Sequence, residues 1–262
     1  MIKAAIFDVD GTLVPYGVAA LSDGLRADLM ELQRRGIRLF LATGRGKHDL
    51  ENTGMLRDVV FDAYLTFTGL RCYDGDGVYR NVTIQREDLV NGCRVLRAQP
   101  EITAVIQTDC GNFLNQLNDS VLELFTQVLH TPIYPVAPPE DFLDRHVYQF
   151  VVMVPRGEES QFLSVMPHCT FARWHSQAID IIPQSDGKAD GIRATLERYG
   201  LSREDVIAFG DGENDISMLN LAGIGVAMGN AEECVKAAAD YVTGSVEMDG
   251  VSAALRRFGL LD

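Results

Sequence analysis

The chain has 262 residues, with 23 Lys and Arg against 37 Asp and Glu, which gives a net charge of -14. A chain of this length exceeds what one hydrophobic core usually serves, so we expect two domains. The excess of negative charge argues against a surface for nucleic acid or for anionic membranes. A hydrophobic content of 47% is ordinary for a soluble globular protein.

The cysteines and the start of the chain indicate a cytoplasmic protein. Five cysteines are scattered without metal-ligand spacing, as expected of free thiols in a reducing compartment. Met1, Ile2 and Lys3 lead directly into a first strand, so we expect no signal peptide. No apolar run approaches the length of a membrane span.

The first part of the chain alternates strands and helices. An apolar run from residue 4 ends in Asp8, Asp10, Gly11 and Thr12, which is typical of a buried strand followed by a polar turn. A helix is predicted from Ser22 to about residue 35, a strand at 37–42, a helix at 48–55 and a strand at 63–67. This alternation predicts a parallel sheet.

The middle of the chain has a different character. A hairpin turn is predicted at residues 73–77, and a separate α/β domain at 82–183, inserted into a first domain made of 1–81 and 184–262. Within the insertion we predict helices at 86–97 and 120–130, a proline-rich loop at 131–139, and strands at 104–108, 147–154, 170–174 and 178–182.

The strand and helix rhythm then resumes. We predict helices at 189–199, 215–222 and 231–239, with strands at 206–209, 225–228 and 241–243. Another acidic, glycine-rich turn follows the first of these strands at 210–215. The fold class is therefore α/β, a Rossmann-like, doubly wound parallel sheet with an inserted α/β domain.

Polar side chains follow several strands of this sheet. Parallel connectivity brings strand ends to one edge, where these side chains could share a cavity. Carboxylates, a hydroxyl and a lysine in one place suit phosphoryl transfer with a divalent cation. Taken singly, each turn could be an ordinary Asp-Gly turn and the lysine a solvated one. The residues are Asp8, Asp10, Thr43, Lys188, Asp211, Asn214 and Asp215.

Four motifs in order resemble the haloacid dehalogenase superfamily, specifically its Cof-like phosphatases with a type IIB cap domain. The motifs are residues 8–12, residues 43–45, Lys188 and residues 210–215, and the segments 226–231 and 249–251 are similar as well. The resemblance covers the whole length, with the cap matching by position and size.

The resemblance implies a role for each motif residue. Asp8 would be the nucleophile and Asp10 the general acid and base. Mg²⁺ would be held by Asp8, by the backbone carbonyl of Asp10 and by Asp211, with Asp215 orienting metal-bound water or Lys188. The phosphoryl group would be bound by Thr43, Gly44, Lys188 and Asn214.

The expected activity is Mg²⁺-dependent hydrolysis of small phosphate monoesters, sugar phosphates or related metabolites, through an aspartyl-phosphate on Asp8. A phosphotransferase or phosphomutase on the same core, and a receiver-like protein that is phosphorylated without turnover, are alternatives. The sequence does not indicate the oligomeric state or the substrate.

Three further segments could serve substrate binding. Arg45, Lys47 and His48 could bind an anionic substrate or lie on a solvated helix face. The segments 173–176 and 109–112 of the inserted domain could face the leaving group.

Overall fold

A computed structural model describes residues 1–18, 20–123, 125–126, 133–175 and 177–262. The strands lie at β1 Ala4–Phe7, β2 Arg38–Ala42, β3 Ala63–Thr66, β4 Arg71–Asp74, β5 Gly77–Asn81, β6 Ala104–Thr108, β7 Gly111–Leu114, β8 Val147–Met153, β9 Cys169–His175, β10 Ala178–Pro183, β11 Val206–Gly210, β12 Ile224–Ala227 and β13 Tyr241–Val242.

The α-helices within these residues lie at α1 Asp23–Arg34, α2 Lys47–Thr53, α3 Arg86–Ala98, α4 Asp119–Glu123, α5 Ser160–Leu163, α6 Lys188–Tyr199, α7 Ile216–Leu221, α8 Glu233–Ala238 and α9 Gly250–Arg257. None of the helices described is long and apolar enough to cross a membrane. The chain forms two compact units, Met1–Asn81 with Asp186–Asp262, and Val82–Ser185. The second boundary falls two residues beyond the predicted one.

The first unit is built on an eight-stranded sheet in the order β13-β12-β11-β1-β2-β3-β4-β5. The strands from β13 to β3 pair in parallel, and β4 and β5 add an antiparallel hairpin at one edge. Alternate residues of β1 enter different cores, Ala5 and Phe7 on one face and Ala4 and Ile6 on the other. Apolar side chains therefore cover both faces of the sheet, which confirms the doubly wound α/β prediction.

Helix α1 shows why the predicted elements form where they do. Ser22 precedes the helix, and its hydroxyl accepts a hydrogen bond from the Leu25 amide at 3.1 Å, which satisfies one of the free amides of the first turn. Leu25, Leu29 and Leu32 form the buried stripe, at the spacing of one helix face. Burial of such a stripe stabilises the helix more than its intrinsic propensity does.

The second unit is built on an antiparallel sheet in the order β7-β6-β8-β10-β9. One face carries the larger apolar core, which includes Ile106, Phe150 and Ile181, and the other a smaller one around Val105 and Val151. The sequence did not predict β7, because Gly111 and Asn112 are typical of a loop. Of the helix predicted at 120–130, the structure describes α4 and residues 125–126, and the remainder, with 131–132 of the predicted loop, lies outside the described residues.

Candidate active site

The carboxyl end of β1 places Asp8 at the centre of the first unit. Strand β1 lies between β11 and β2, and the Asp8 amide donates to the Phe209 carbonyl at 3.0 Å. The Asp8 side chain is 9% exposed, whereas that of Asp10 is 27% exposed. The two carboxylates of one turn therefore have different surroundings, one enclosed and one near solvent.

Lys188 begins α6 and is completely buried. Its Nζ donates to Asp8 Oδ1 at 2.5 Å and to Asp215 Oδ1 at 2.6 Å. A buried ammonium needs opposite charge around it, and these two carboxylates supply it. The contact joins positions 180 residues apart and restrains Asp8 through one of its oxygens.

Asp215 also organises the turn after β11. Its Oδ2 accepts hydrogen bonds from the amides of Asp211 and Gly212, both at 3.0 Å. A Cβ added to Gly210 would lie 2.5 Å from the Asp215 Cβ, so the turn has room only for glycine there. Asp215 thereby fixes the path of the chain at Asp211 while it holds Lys188.

The Asp211 side chain is oriented from the opposite side. The Thr12 hydroxyl donates to Asp211 Oδ1 at 2.9 Å. The side-chain Nδ2 of Asn230 donates to the Gly11 carbonyl at 2.9 Å and lies 3.4 Å from Asp211 Oδ2. Gly11 has a φ of +85°, and a Cβ there would lie 2.1 Å from Asp211 Oδ2. Glycine is therefore required twice over, by its backbone conformation and by the closeness of Asp211.

Carboxylate oxygens from Asp8, Asp211 and Asp215 all lie within 4.8 Å of one another. Burial, opposed by Lys188 and reinforced by Asp215 and Asp10, raises the pKa of Asp8 to about 7. Burial and the charge of Asp8 raise the pKa of Asp211 to about 8. The cluster holds more negative charge than Lys188 offsets, and hard oxygen ligands in this arrangement suit a divalent cation such as Mg²⁺.

Burial alone would lower the pKa of Lys188, but the charges of Asp215 and Asp8 outweigh it and raise that pKa. Lys188 therefore remains an ammonium throughout the physiological range, which keeps a positive charge next to Asp8. The ion pair therefore persists wherever Asp8 is ionised within the physiological range.

Thr43 and Gly44 follow β2 in the same unit. Thr43 is buried, and its Oγ1 accepts a hydrogen bond from the Arg45 amide at 3.1 Å. Its own hydroxyl proton can be donated elsewhere. Asn214 is half-buried and lies beside the turn, since a Cβ on Gly212 would be 2.5 Å from its Oδ1. Both residues belong to turns that follow strands of the parallel sheet, β2 and β11.

Arg45 forms a two-bonded ion pair with Asp10. Its Nε donates to Asp10 Oδ2 and its Nη2 to Asp10 Oδ1, each at 2.7 Å. Lys47, in contrast, pairs with Glu51 on the exposed side of α2 at 3.5 Å, and His48 is exposed there too. Of the three residues considered for anionic substrate, Arg45 alone is shown in contact with a predicted catalytic residue.

Helix α6 approaches the sheet through two glycines. A Cβ on Gly69 would lie 3.2 Å from the Gly187 carbonyl oxygen, and a Cβ on Gly191 would lie 2.8 Å from the Gly69 Cα. Backbone therefore packs directly on backbone at the start of α6. This contact sets the height of the helix above the sheet, and with it the position of Lys188.

The sequence reasoning missed several residues of this site. Thr12 belongs to the first motif, but nothing in the sequence pairs it with Asp211. Asn230 follows Gly229 after β12, and this polar turn after a strand is a signal that could have been used. Tyr16 is 45% exposed, yet partial burial, and then the charges of Asp211 and Asp8, raise the pKa of its hydroxyl, which indicates that the hydroxyl feels the acidic cluster.

The two segments of the second unit that were considered for substrate binding are residues 109–112 and 173–176. Residues 109 and 110 form the turn between β6 and β7, and residues 111 and 112 begin β7; Thr108 Oγ1 donates to the Gly111 carbonyl at 2.8 Å. Arg173 is buried and pairs with Glu159. Ser176 lies outside the described residues, as do the side chains of Trp174 and His175.

Comparison with known proteins gives the family. The family model of haloacid dehalogenase-like hydrolases matches residues 5–255. The Bacillus subtilis protein named "Putative phosphatase YkrA" is 27% identical over 99% of this chain and 98% of its own length.

Solved structures agree over the whole chain. The subclass IIB sugar phosphatase BT4131 superposes with a TM-score of 0.87 and 32% identity, over 99% of this chain and 100% of its own. The phosphatase BT1666 of Bacteroides thetaiotaomicron superposes with a TM-score of 0.88 and 31% identity, over 100% and 96% of the two chains. These matches confirm the resemblance predicted from the four motifs. The chain belongs to the haloacid dehalogenase-like hydrolases, and it is a phosphatase of that family.

Proposed function

We propose that the protein hydrolyses small phosphate monoesters, sugar phosphates or related metabolites, in the cytoplasm with Mg²⁺ as cofactor and Asp8 as nucleophile. The bridge from Lys188 Nζ to Asp8 and Asp215, at 2.5 and 2.6 Å, carries this proposal. It holds the buried Asp8 carboxylate beside the Lys188 ammonium, and the same positive charge can stabilise a bound phosphate dianion. The named sugar phosphatase among the similar structures supports the substrate class.

The residues around the cluster suit a hard cation. The carboxylates of Asp8 and Asp211, together with the Asp10 carbonyl, would hold Mg²⁺. Asp215 would orient metal-bound water or Lys188. When bound, the metal supplies positive charge that offsets the repulsion between the phosphate and Asp8. The raised pKa values of Asp8 and Asp211 support this assignment, because burial, together with repulsion between the carboxylates, outweighs the single ammonium of Lys188.

In the first step an Asp8 carboxylate oxygen forms a bond to phosphorus, and the bond from phosphorus to the ester oxygen breaks. The departing oxygen takes a proton from Asp10, and an alcohol leaves. Thr43, the Gly44 amide, Lys188 and Asn214 hold the phosphoryl oxygens, where charge develops. The product on the enzyme is an aspartyl-phosphate.

In the second step water attacks the phosphorus of the aspartyl-phosphate and gives a proton to Asp10. The bond between phosphorus and the Asp8 oxygen breaks, which returns the carboxylate and releases inorganic phosphate. Lys188 stays bound to Asp8 and stabilises the carboxylate as it leaves. Asp10 ends protonated, ready for the next ester.

The second unit, Val82–Ser185, would act as a cap domain of type IIB that selects the leaving group. The subclass named for the similar sugar phosphatase supports this assignment. If the second unit selects the leaving group, the choice of substrate can change while the catalytic residues of the first unit stay the same.

The decisive assay measures phosphate release from a panel of phosphorylated metabolites with Mg²⁺, for the wild type and for Asp8→Asn. We expect turnover by the wild type and at least about a 10³-fold loss in Asp8→Asn, because an amide is a poor nucleophile. Asp58→Asn is a matched control, since Asp58 is exposed and pairs with Arg26 on the surface. An Asp8→Asn protein that keeps most of its rate would refute the assignment of the nucleophile.

The same assay distinguishes the other possible activities. A phosphotransferase or phosphomutase would release little phosphate until a sugar acceptor is added. A receiver-like protein would accumulate a long-lived acyl-phosphate on Asp8 without turnover. Phosphate release at the full rate in excess chelator would refute the assignment of Mg²⁺ as cofactor.

A further inference from the structure

The strongest unexplained contact in the first unit is the two-bonded pair between Arg45 and Asp10. Both guanidinium bonds measure 2.7 Å, and each reaches a different carboxylate oxygen. The parallel arrangement fixes the plane of the carboxylate as well as its position, which a single bond or a lysine would not do. The side chains are 19% and 27% exposed, so the pair lies at the edge of the site and not in open solvent.

Arg45 is itself held firmly at its backbone. Its amide donates to Thr43 Oγ1 at 3.1 Å, and its carbonyl accepts from the Phe67 amide at 3.1 Å. The next residue is equally restricted, because a Cβ on Gly46 would lie 2.7 Å from the Phe67 ring. The guanidinium is therefore presented from a fixed turn, which suits it to orient another group.

Asp10, in contrast, lies in the less buried part of its turn. Its neighbour Gly11 donates to the Val14 carbonyl at 2.8 Å, and Asp10 forms an isolated bridge with Val14. These contacts fix the backbone, while the carboxylate is oriented by Arg45. The pair connects the turn after β1 to the turn after β2.

We propose that Arg45 is a positioning residue for Asp10, one that aims the Asp10 carboxyl group at the leaving oxygen and has no direct role in holding the phosphoryl group. The inference rests on the proposed function, in which Asp10 protonates that oxygen. A general acid must lie within hydrogen-bond distance of the atom it protonates, and a displacement of about 1 Å can lower the rate by about 10²-fold. Removal of this two-bonded pair therefore slows the first step only for esters whose leaving group needs a proton, whereas the second step, in which Asp10 accepts a proton from water, slows equally for all esters.

The test uses two esters that differ in this need. Glycerol 3-phosphate releases a strongly basic alkoxide, whereas 4-nitrophenyl phosphate releases a stable phenolate. In Arg45→Met we expect kcat/KM for glycerol 3-phosphate to fall by about 10- to 100-fold. We expect kcat/KM for 4-nitrophenyl phosphate to change by less than about 3-fold, because kcat/KM reports the first step and the shared second step enters only kcat.

Two further variants test whether Arg45 acts through Asp10. In an Asp10→Asn background, Arg45→Met should have no additional effect on either ester, since the group it positions is already gone. Arg45→Lys keeps the positive charge but cannot form both hydrogen bonds to Asp10. It should therefore restore only part of the wild-type ratio of kcat/KM for glycerol 3-phosphate to kcat/KM for 4-nitrophenyl phosphate. Arg26→Met is the matched control, because Arg26 forms the same two-bonded pair with Asp58 on the surface.

The outcomes separate this inference from the proposed function. An equal loss of kcat/KM on both esters, or a further loss of kcat/KM in the Asp10→Asn background, would show that Arg45 contacts the substrate, and would overturn the inference. The proposed function fails instead if Asp8→Asn retains activity on 4-nitrophenyl phosphate. Thermal melts show whether Arg45→Met is folded. If it is not, Arg45→Lys is compared with Arg26→Met by the ratio of the kcat/KM values for the two esters.

Discussion

The acidic cluster makes the stability of the metal-free protein depend on pH in an unusual direction. The pKa of Asp8 is about 7 in the folded protein against 3.8 ordinarily, chiefly because of burial. Each pKa unit corresponds to about 1.4 kcal/mol, so ionising this carboxyl in the folded protein costs about 4 kcal/mol. Asp211, with a pKa of about 8, shifts in the same direction, and the two effects overlap because the groups repel each other.

The sign follows from proton uptake. Between pH 4 and 7 the folded protein binds a proton on Asp8 that the unfolded chain has released, so the folded state is favoured at the lower pH. This stability is fully present below pH 4 and is lost as the pH rises through 7. In excess chelator the melting temperature should therefore be higher at pH 5.5 than at pH 8.5, by on the order of 10 °C.

The assay is a series of thermal melts at pH 5.5 and 8.5, in chelator and in Mg²⁺, with Asp8→Asn as the comparison. Bound Mg²⁺ should raise the melting temperature most at pH 8.5, where the carboxylates are ionised, and so reduce the difference. Asp8→Asn should show a smaller difference in chelator because its amide does not titrate. Equal melting temperatures for the wild type at both pH values in chelator would refute the reasoning.

Three substitutions test other contacts. Gly11→Ala places a Cβ 2.1 Å from Asp211 Oδ2 at a φ of +85°. It should lower Mg²⁺-dependent turnover by at least about 10²-fold and the free energy of unfolding by about 1–2 kcal/mol, as measured by kinetics and denaturant titration. Unchanged turnover would contradict this prediction. Lys188→Met removes a fully buried cation and should lower the free energy of unfolding by about 3–5 kcal/mol at pH 8, and a loss below 1 kcal/mol would be inconsistent with the bridge. Thr12→Val removes the hydrogen bond to Asp211 and should weaken Mg²⁺ binding by about 10-fold, measured by titration calorimetry; equal affinity would show that Thr12 does not orient the ligand.

Local patterns predicted the parts of the fold in which a residue's neighbours along the chain decide its structure. The β1 and β11 strands were predictable because an apolar run ends abruptly in acid and glycine. Helix α9 was not predicted, although Val251, Ala254 and Leu255 are spaced as one buried helix face, and its signal was present in the sequence. Strand β7 had no such signal, because its four residues depend on pairing with β6.

The site was predictable to a different extent. Asp8 and Asp211 are visible in the sequence because each directly follows a buried strand, but Lys188 resembles any surface lysine and is identified only by the order of the four motifs. The Arg45 and Asp10 pair joins positions 35 residues apart, and the bond from Thr12 to Asp211 joins positions 199 apart. Contacts of this kind depend on how turns from different strands meet, which no local pattern encodes.

The contact between Gly69 and Gly191 bears on how this enzyme tolerates change. Neither residue carries a functional group, yet a single methyl group at either position would push α6 away from the sheet by several tenths of an ångström or more. The ammonium at the start of that helix would move with it. Sequence positions that contribute no chemistry of their own thus constrain where the reacting groups lie, and substitutions there should lower activity in a protein that still folds.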